Sequence, residues 1–465
     1  MIQTERILAL NQQPPREGKY VLYWMQASQR VHFNHALEYA VERANELKLP
    51  LLVGFGLMAD YPEANLRHYH FMLEGLRETQ EKLIQRGIKL VIRRGRPDEV
   101  ALELAGDAAL VVCDRGYLIH QKRWRDNVAD RASCPVTQVE ADVVVPVELA
   151  SDHTEFAART LRPKILKHLP EYLIDLSETT LQRDSLGLRS AGLKLDNLGK
   201  LLKNMNLDES VPPATLLRGG TAAGQAVLRN FIDYELANYH INRNRPETDS
   251  VSYMSRYLHF GQLSPVWIAL QVRDSKKGSA ADRDAYLEEL IVRRELSYNY
   301  CHFTPRYDRY ESLPVWCRQT LARHRTDRRP VRYRPAQLEA CRTGDPYWNA
   351  AMREMIATGY MHNYMRMYWG KKIIEWSPTP ERAWRVALYL NNKYFLDGRD
   401  PVSYANIAWL FGRHDRPWKE RPIFGTIRYM SAEGLRRKAD PEAYIEKIRR
   451  LETGDIAGRG NSLAR

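Results

Sequence analysis

Hydrophobic and polar positions follow different periods in the two halves of the chain. In residues 1–175, short apolar runs alternate with segments whose apolar positions recur every three to four residues. The runs predict strands at 20–24, 50–55, 89–93, 109–114 and 137–142, and the amphipathic segments predict helices at 36–47, 67–86 and 97–104. This alternation predicts a Rossmann-like α/β domain, in which helices cover both faces of a parallel sheet and a ligand binds at the carboxyl ends of the strands.

The loop after the first predicted strand, residues 25–30, lacks the glycine pattern of a dinucleotide-binding turn. Its sequence, Met-Gln-Ala-Ser-Gln-Arg, is compatible with two structures. One is a loop that contacts a ligand or another domain. The other is the N-terminal cap of the following helix. The sequence favours neither over the other.

From about residue 226 onward the period is almost entirely that of an α-helix. Predicted helices lie at 222–239, 265–275, 282–299, 335–344, 345–360, 363–376 and 380–393. Residues 176–225 mix Ser, Thr, Asn, Gly and Leu without a clear period, which is typical of a connecting segment. We therefore predict an α/β domain over 1–175, an interdomain linker over 176–225 and an all-helical domain over 226–465.

Composition adds a nucleic acid to the candidate partners. The 465 residues carry a formal net charge of +13 with a pI near 9.4, which favours a polyanionic partner. Ten Trp and 26 Tyr residues accompany this charge, and aromatic rings among cations suit unstacked bases better than charge alone does. The alternative is a basic protein that binds no nucleic acid.

Cysteine usage and hydropathy predict the compartment. The five cysteines form no Cys-x-x-Cys pair and have no His partner at zinc-finger spacing, which favours reduced thiols over disulfides or a zinc site. No run approaches the ~20 apolar residues of a membrane-spanning helix, and the charged N-terminus lacks the apolar core of a signal peptide. We expect an intracellular protein, cytoplasmic or nuclear, that acts as a monomer without a metal.

The helix predicted at 363–376 is too aromatic and too polar for an ordinary core helix. Trp369 and Trp376 are seven residues apart, so they share one face about 10 Å apart along the axis. Asn363, Arg366 and Met367 lie on the preceding turns and add an amide, a cation and a thioether. The alternative is a buried helix with aromatic packing and one paired arginine.

Two other stretches carry candidate binding groups. Residues 250–261 form a hydroxyl-rich loop that enters a helix, where serine side chains and free amides suit a phosphate. The alternative is ordinary capping by one serine. Residues 288–296 interleave charges with apolar positions, which fits either a solvated helix face or a carboxylate that faces a pocket and hydrogen-bonds a pyrimidine.

The last third of the chain adds charged and aromatic loops. Asp397 follows a predicted helix and is a candidate partner for Arg366, and a buried pair of this kind is rarely kept for stability alone. Trp409 and the cationic run at 412–421 suit phosphates and an unstacked base. The alternative for this run is a loop with ordinary surface charge.

Together these motifs make the chain resemble the photolyase/cryptochrome family, and most closely its class II cyclobutane pyrimidine dimer photolyases. The resemblance covers nearly the whole chain. The motifs that carry it are residues 24–30, 257–262, 288–296, 359–376, 388–393 and 397–401. The Met-His-Asn-x-x-Arg-Met stretch at 361–367 is similar to the superfamily motif, and the Tyr-Trp-Gly-Lys-Lys-Ile-Ile-Glu-Trp run at 368–376 resembles class II members.

The resemblance implies an α/β antenna domain followed by a helical domain that holds FAD. The implied activity is light-driven DNA repair. Excited reduced FAD donates an electron to a flipped-out dimer, the cyclobutane ring splits and the electron returns, in a rigid cage that keeps distances short. The antenna chromophore is not specified, and a deazaflavin, a folate or none are all compatible with the sequence.

The resemblance also implies roles for particular residues. Tyr239 and the loop of Ser250, Val251, Ser252, Tyr253, Met254 and Ser255 are expected to hold the FAD phosphates. Asn363, Arg366, Asp397, Gly398 and Arg399 are expected around the flavin, with Asn391 hydrogen-bonded to its N5 atom. Trp369, Trp348 and Trp376 correspond to an electron relay to the surface. Glu289, Met367 and Trp409 are expected at the dimer, and Arg413, Arg416 and Arg421 at DNA phosphates.

Two alternatives to a repair enzyme share this fold. One is a cryptochrome-type photoreceptor without repair activity, for which we expect a long extension after the helical domain; the sequence stops at Arg465. The other is a nucleic-acid-binding protein without the cofactor. The presence of Arg366, Asp397, Asn391 and all three relay tryptophans favours a cofactor.

Overall fold

The computed structural model describes residues 2–214 and 218–453. Its first part is a six-stranded sheet in the order β1-β6-β5-β2-β3-β4, parallel except that β1 is antiparallel to β6. The strands are β1 (Ile7–Ala9), β2 (Tyr20–Trp24), β3 (Leu51–Leu57), β4 (Lys89–Arg94), β5 (Ala108–Asp114) and β6 (Val136–Val139). The helices of this part are α1 (His35–Glu46), α2 (Leu66–Gln85), α3 (Pro97–Ala105), α4 (Ile119–Arg131), α5 (Val147–Ala150) and α6 (Ala158–Tyr172).

The central strands β2, β3 and β5 are buried along their whole length. Their near-continuous apolar sequences are typical of a parallel sheet that is covered on both faces, so the predicted α/β fold is confirmed. The edge strand β1 is absent from the prediction. It has only three residues, none of them buried, and therefore carries almost no hydrophobic signal.

The segment predicted as a linker is attached to the first domain. Its short helix α7 (Leu198–Lys203) packs into the core beneath the sheet. The amide of Leu193 donates to the carbonyl of Ile92, in the edge strand β4, at 2.7 Å. Residues 215–217 of this segment lie outside the described residues, and the division at 176–225 stays a prediction.

The second part is helical. Its α-helices are α8 (Thr221–Asn230), α9 (Tyr239–Asn242), α10 (Ser255–His259), α11 (Pro265–Arg273), α12 (Ala280–Leu287), α13 (Arg294–Phe303), α14 (Val315–Arg323), α15 (Pro335–Glu339), α16 (Pro346–Thr358), α17 (Asn363–Trp376), α18 (Pro380–Tyr394), α19 (Pro401–Leu410), α20 (Ala432–Arg436) and α21 (Pro441–Thr453). Two π-helical segments, Phe231–Glu235 and Glu288–Arg293, interrupt this pattern. Among the described residues, no helix has both the length and the apolar composition needed to cross a bilayer.

Helix α17 has the predicted bounds, whereas other helical predictions differ from the structure. The helix predicted at 335–344 ends at Glu339. Helix α6 is absent from the prediction because Pro163 and Pro170 lie inside it and weaken its helical signal. Helix α19 was missed because it is apolar on nearly every side and therefore shows little periodicity.

A buried polar interface joins the two parts. The Arg30 guanidinium pairs with Asp142 at 2.8 Å and donates to the carbonyl of Gly261 at 3.0 Å. Gly261 has a φ of +63°, and a Cβ there would lie 1.7 Å from the Ala27 carbonyl oxygen, so only glycine permits this approach. Glu295 of α13 accepts hydrogen bonds from two consecutive backbone amides of the first part. The loop at 25–30 is therefore an interdomain contact.

Candidate functional site

A cavity that opens to solvent lies within the helical part. The residues around it come from four separated stretches of the chain, which the fold brings together. Of the residues predicted to bind a cofactor or substrate, ten line this cavity: Tyr239, Val251, Ser252, Tyr253, Met254, Ser255, Glu289, Asn363, Arg366 and Asp397. The hydroxyl-rich loop, the π-helical segment and the start of α17 thus form one site.

Arg366 and Asp397 form the ion pair that the sequence predicted. One guanidinium nitrogen of Arg366 lies 2.9 Å from both carboxylate oxygens of Asp397. Burial is the largest single influence and disfavours the charged carboxylate, but the Arg366 cation and the hydrogen bonds from Arg366 and Ser255 together hold the pKa of Asp397 below its usual range. The Arg366 guanidinium also lies 3.7 Å from the centre of the Phe395 ring. The wall of the cavity therefore carries an ion pair that is fixed in position and mostly shielded from water.

The loop at 250–255 is held in place by an edge-on contact between two rings and by a cation above them. Tyr253 has a left-handed backbone with φ of +56°, which costs energy for a residue with a bulky side chain. Its ring meets that of Tyr360 edge-on at 4.8 Å, and the Arg256 cation lies over both rings. The cap of α10 is Met254, and no serine side chain caps the helix. The serines are therefore available to a ligand or to neighbours such as Asp397, which Ser255 hydrogen-bonds.

The cavity holds an unpartnered donor that suits an anionic or hydroxylated ligand. His362 caps α17 through Nδ1, which accepts from the amide of Tyr364 at 3.2 Å. Burial lowers the pKa of His362 to about 3, so the ring is neutral and its proton is on Nε2. That Nε2 atom is buried and has no hydrogen-bond partner among the described residues. A ligand with acceptor oxygens, such as the phosphates and ribityl hydroxyls of FAD, fits this donor.

Glu289 lies in the π-helical segment Glu288–Arg293 and pairs with Arg243 at the cavity wall. π-Helical turns are rare and often occur at functional sites, because they shift side chains off the regular helical face. The side chain of Glu289 is about one third exposed. It is therefore accessible both to the cavity and to solvent, as a substrate-binding carboxylate requires.

The three tryptophans predicted as a relay lie next to one another in the core. Trp369 follows Arg366 by one turn of α17 and is 1 % exposed. The indole N–H of Trp348 donates to the Trp369 carbonyl at 3.0 Å. The rings of Trp348 and Trp376 meet edge-on with their centres 5.5 Å apart. The path therefore runs from the turn beside the cavity to the far end of α17.

Several predicted cofactor residues lie outside this cavity. Asn391 is buried and donates to the side chain of Asn392 at 2.9 Å. Gly398 packs against the backbone of residues 391–395, where a Cβ would lie 2.9 Å from the Asn391 carbonyl oxygen. The Arg399 guanidinium contacts His68 at 2.9 Å and faces a second cavity. The structure therefore does not bring the Arg399 side chain to the first cavity.

The second cavity lies between the two parts at the carboxyl ends of β2, β3 and β5. This is where the α/β pattern predicted a ligand site. Gln26 Oε1, Gln29 Oε1 and Arg399 Nη2 are buried in its wall and lack hydrogen-bond partners among the described residues. Leu258 and Asp400 line both cavities. Shared residues such as Leu258 and Asp400 would therefore lie between a ligand in the second cavity and a ligand in the first.

The predicted DNA-contact residues lie mainly on the loop after α19. Arg416 and Arg421 are exposed, and Arg413 lies over the Tyr300 ring at 4.9 Å. The Arg428 guanidinium lies between two indoles, 5.7 Å from Trp409 and 4.4 Å from Trp418. Met367 is partly buried and, like Trp409, does not line the cavity. The loop nevertheless combines cations with aromatic faces.

Comparisons with known proteins place these features in a family. Residues 21–182 match the model described as DNA photolyase, and residues 286–449 match the FAD binding domain of DNA photolyase. The chain is 49 % identical to the Deoxyribodipyrimidine photo-lyase of Methanothermobacter thermautotrophicus, over 97 % of this chain and 99 % of the relative. The chain belongs to the DNA photolyase family. It is also 39 % identical to the Deoxyribodipyrimidine photo-lyase of Arabidopsis thaliana, over 93 % of this chain and 89 % of that one.

A solved structure agrees with the photolyase fold. The archaeal photolyase from Sulfolobus tokodaii superposes with a TM-score of 0.69 at 15 % identity, over 92 % of this chain and 89 % of that one. At this identity the likeness concerns the fold. The FAD-binding model covers α17, α18 and the π-helical segment that carries Glu289, so the first cavity lies largely within the part of the photolyase chain that this model describes.

Sequence reasoning missed several residues at the photolyase cavity. Arg243, Tyr286, Tyr360, His362 and Asn406 also line it. His362 lies in the motif at 361–367, directly before the predicted helix, and this position is the sequence signal that marks a residue capping that helix. Arg243 carried no such signal, because its position depends on the short helix α9 that follows a π-helical turn.

Proposed function

We propose that the chain is a light-driven lyase that splits cyclobutane pyrimidine dimers in DNA. When bound, reduced FAD supplies an electron to the dimer on excitation by blue light and recovers it after the ring has split. The observation that carries the proposal is that one cavity is lined by a buried ion pair and an accessible carboxylate, and that a path of buried indoles begins one helical turn after Arg366. The near full-length identity to Deoxyribodipyrimidine photo-lyases supports it independently.

The polar wall of the cavity would hold and orient the cofactor. The Arg366–Asp397 pair presents a fixed dipole whose rotamers are locked by mutual hydrogen bonds and by Phe395. The serine loop and the Nε2–H of His362 would donate to phosphate or hydroxyl oxygens. We keep Asn391 as a residue that approaches the flavin, because it is buried on α18 next to the stretch that leads to Asp397.

The substrate would enter from the side of the cationic loop. A pyrimidine dimer pairs poorly, which lowers the cost of flipping it out of the duplex. The guanidinium groups of Arg413, Arg416 and Arg421 would contact backbone phosphates, and the indoles of Trp409 and Trp418 would pack against bases. Glu289 would then hydrogen-bond the flipped dimer, and Met367 would pack nearby.

We further propose that the second cavity binds the antenna chromophore. Three unpartnered polar atoms in a mostly apolar wall, which also carries Arg115, Asp142 and His259, suit a flat heteroaromatic ligand, and the shared residues Leu258 and Asp400 keep it close to the first site. The photolyase from Sulfolobus tokodaii was solved with two FAD molecules, which implicated a novel light-harvesting cofactor in that protein. Extraction and quantification of the chromophores of the purified protein test this, because a filled second cavity gives two chromophores per chain, whether the second is FAD or another molecule.

We also propose that the protein is a class II member that acts as a monomer in the cytoplasm, or in the nucleus of a eukaryote. All five cysteines are buried and unpaired, which supports a reducing compartment. The motifs at 361–376 support the class. Sedimentation of the purified protein, with and without a damaged oligonucleotide, tests the monomer.

The proposed function is tested with an oligonucleotide that contains one defined thymine dimer. The chemically reduced protein is expected to restore the absorbance of the intact thymines under blue light and not in the dark. An unchanged dimer in the light, with reduced FAD bound, would contradict the lyase and favour a photoreceptor.

A further inference from the structure

A buried glutamate on α13 joins the two parts of the molecule. Glu295 is 3 % exposed, and its two carboxylate oxygens accept hydrogen bonds from the consecutive backbone amides of Val144 and Val145, the second at 3.3 Å. Both amides belong to residues 140–145, which follow β6 in the first part. Burying a carboxylate is costly unless it is well hydrogen-bonded, so this contact fixes the start of α13 to the α/β domain.

The segment 140–145 is itself held from other sides. The guanidinium of Arg294, next to Glu295, donates to the carbonyl of Asp142 at 2.7 Å. The guanidinium of Arg6 donates to the carbonyls of Glu140 and Val144 at 3.1 and 2.7 Å. Because charged side chains from different elements bind its backbone, the segment is a rigid support for α13.

The π-helical segment Glu288–Arg293 lies directly before this contact. A π-helical turn holds one residue more than an α-helical turn, and each residue of an α-helix turns the side-chain direction by about 100°. The direction of Glu289 relative to Glu295 therefore differs by about 100° from that in a regular helix. The start of the segment is also held by the first part, since Glu288 pairs with Arg162 of α6 at 2.7 Å.

We propose that Glu295 is a positioning residue for Glu289. By fixing the start of α13 on residues 140–145, Glu295 keeps the π-helical turn from relaxing into a regular α-helix. It thereby keeps Glu289 at the cavity wall beside Arg243. The proposal rests on the proposed function, in which Glu289 binds the pyrimidine dimer. It makes recognition of the dimer depend on a contact between the two parts of the chain.

The test is binding in the dark of the FAD-containing protein to two oligonucleotides, one with a defined thymine dimer and one undamaged. The ratio of the two dissociation constants reports recognition of the dimer and needs no photochemistry. Glu295→Gln keeps the side-chain size but replaces one acceptor oxygen by an NH2 group, which cannot accept from an amide. We expect the preference for the damaged oligonucleotide to fall by about tenfold, as for the loss of one charged hydrogen bond, with FAD content unchanged.

The matched control is Glu38→Gln. Glu38 on α1 is 2 % exposed and also accepts from a backbone amide, that of Thr179 at 2.7 Å. Its hydrogen-bond partners among the described residues are Thr179 and Arg86, and neither bonds to the π-helical segment. This variant is expected to lower Tm and to leave the preference for the damaged oligonucleotide unchanged.

The ionisation of Glu295 sets the pH of the measurement. Burial raises the pKa of Glu295 to about 8, although the two amides and the Arg294 and Arg6 cations act in the opposite direction. Binding is therefore measured at pH 9, where the carboxylate is mostly ionised and both of its oxygens accept from the amides.

A double-mutant cycle separates positioning from general weakening. If Glu295 acts through Glu289, adding Glu295→Gln to Glu289→Ala changes the preference no further, whereas independent effects multiply. Deletion of Arg293, whose side chain is about half exposed, gives a second test that does not depend on the folding of Glu295→Gln. It removes the extra residue of the π-helical turn. The deletion is expected to retain helical circular dichroism and FAD and to lose the preference for the damaged oligonucleotide.

The outcomes distinguish this inference from the proposed function. An unchanged preference in Glu295→Gln, or effects that multiply in the double variant, would overturn the role of Glu295, while normal repair in the light leaves the lyase intact. A wild type that prefers the damaged oligonucleotide in the dark but does not repair it in the light overturns the lyase and leaves the role of Glu295 in place. A wild type without this preference overturns the role of Glu289, and that of Glu295 with it.

Discussion

Replacing Asp397 by Asn removes one charge of the buried pair at the cavity. The Arg366 and Asp397 side chains are 14 % and 11 % exposed, and one nitrogen of Arg366 contacts both carboxylate oxygens at 2.9 Å. Removing one partner of a buried pair costs about 3–5 kcal/mol, because the other charge stays buried without compensation. The asparagine keeps the volume and one acceptor oxygen, so we expect the low end, ~3 kcal/mol.

This loss has two expected consequences. At about 2–4 °C per kcal/mol for a unit of 150–250 residues, Tm falls by about 6–12 °C. FAD affinity falls by about 100-fold, since ~1.4 kcal/mol corresponds to a factor of ten. The pKa of Asp397 lies below its usual range, so its contribution is present above that range and is lost as pH falls. The free energy of unfolding of the variant is therefore expected to fall less steeply than that of wild type as the pH is lowered.

Differential scanning fluorimetry and flavin content after gel filtration measure both effects. The matched control is Glu99→Gln, which removes the exposed pair with Arg131, whose side chains are 53 % and 46 % exposed at 2.7 Å. That pair is worth about 0–1 kcal/mol, so Tm should change little. Equal Tm changes in the two variants, with full flavin content in Asp397→Asn, would refute the role given to this pair.

Three further predictions concern other residues. Trp348→Phe is expected to abolish photoreduction of oxidised FAD while chemically reduced protein still repairs; Trp384→Phe is the control, and normal photoreduction of Trp348→Phe would remove that residue from the relay. Glu289→Ala is expected to lower dimer repair by about 10–100-fold through the loss of a charged hydrogen bond, with FAD retained; loss of FAD would contradict its place at the substrate. Burial lowers the pKa of Lys371 to about 7, so the unfolded chain binds more protons between pH 7 and its ordinary pKa, and the free energy of unfolding should rise with pH there. Chemical denaturation of Lys371→Met should lack that rise, and an identical pH dependence would show that Lys371 stays charged.

The sheet and the main helix of the site were predictable because their signals are local. Continuous apolar runs mark β2, β3 and β5, and helical periodicity with capping residues marks α17. Helix α19 was missed because burial on all sides removes the periodicity that identifies a surface helix. The π-helical segment at Glu289 was missed because no propensity distinguishes it from the α-helix around it.

The site was only partly predictable, because its geometry depends on packing between distant segments. Arg366 and Asp397 were paired correctly from their chemistry. Arg399 was expected beside the flavin because the family resemblance implied it, together with Asp397. Its left-handed backbone, with φ of +60°, turns the side chain toward His68 and the second cavity. Adjacent residues can therefore serve different cavities, and spacing along the chain does not reveal this.

The most direct test of the central claim is the wavelength dependence of dimer repair by the reduced protein. The account predicts that the repair rate per incident photon follows the absorption of bound reduced FAD, together with any band from a chromophore in the second cavity, and is zero in the dark. Repair in the dark, or repair that does not follow the absorption of the bound chromophores, would contradict a light-driven lyase.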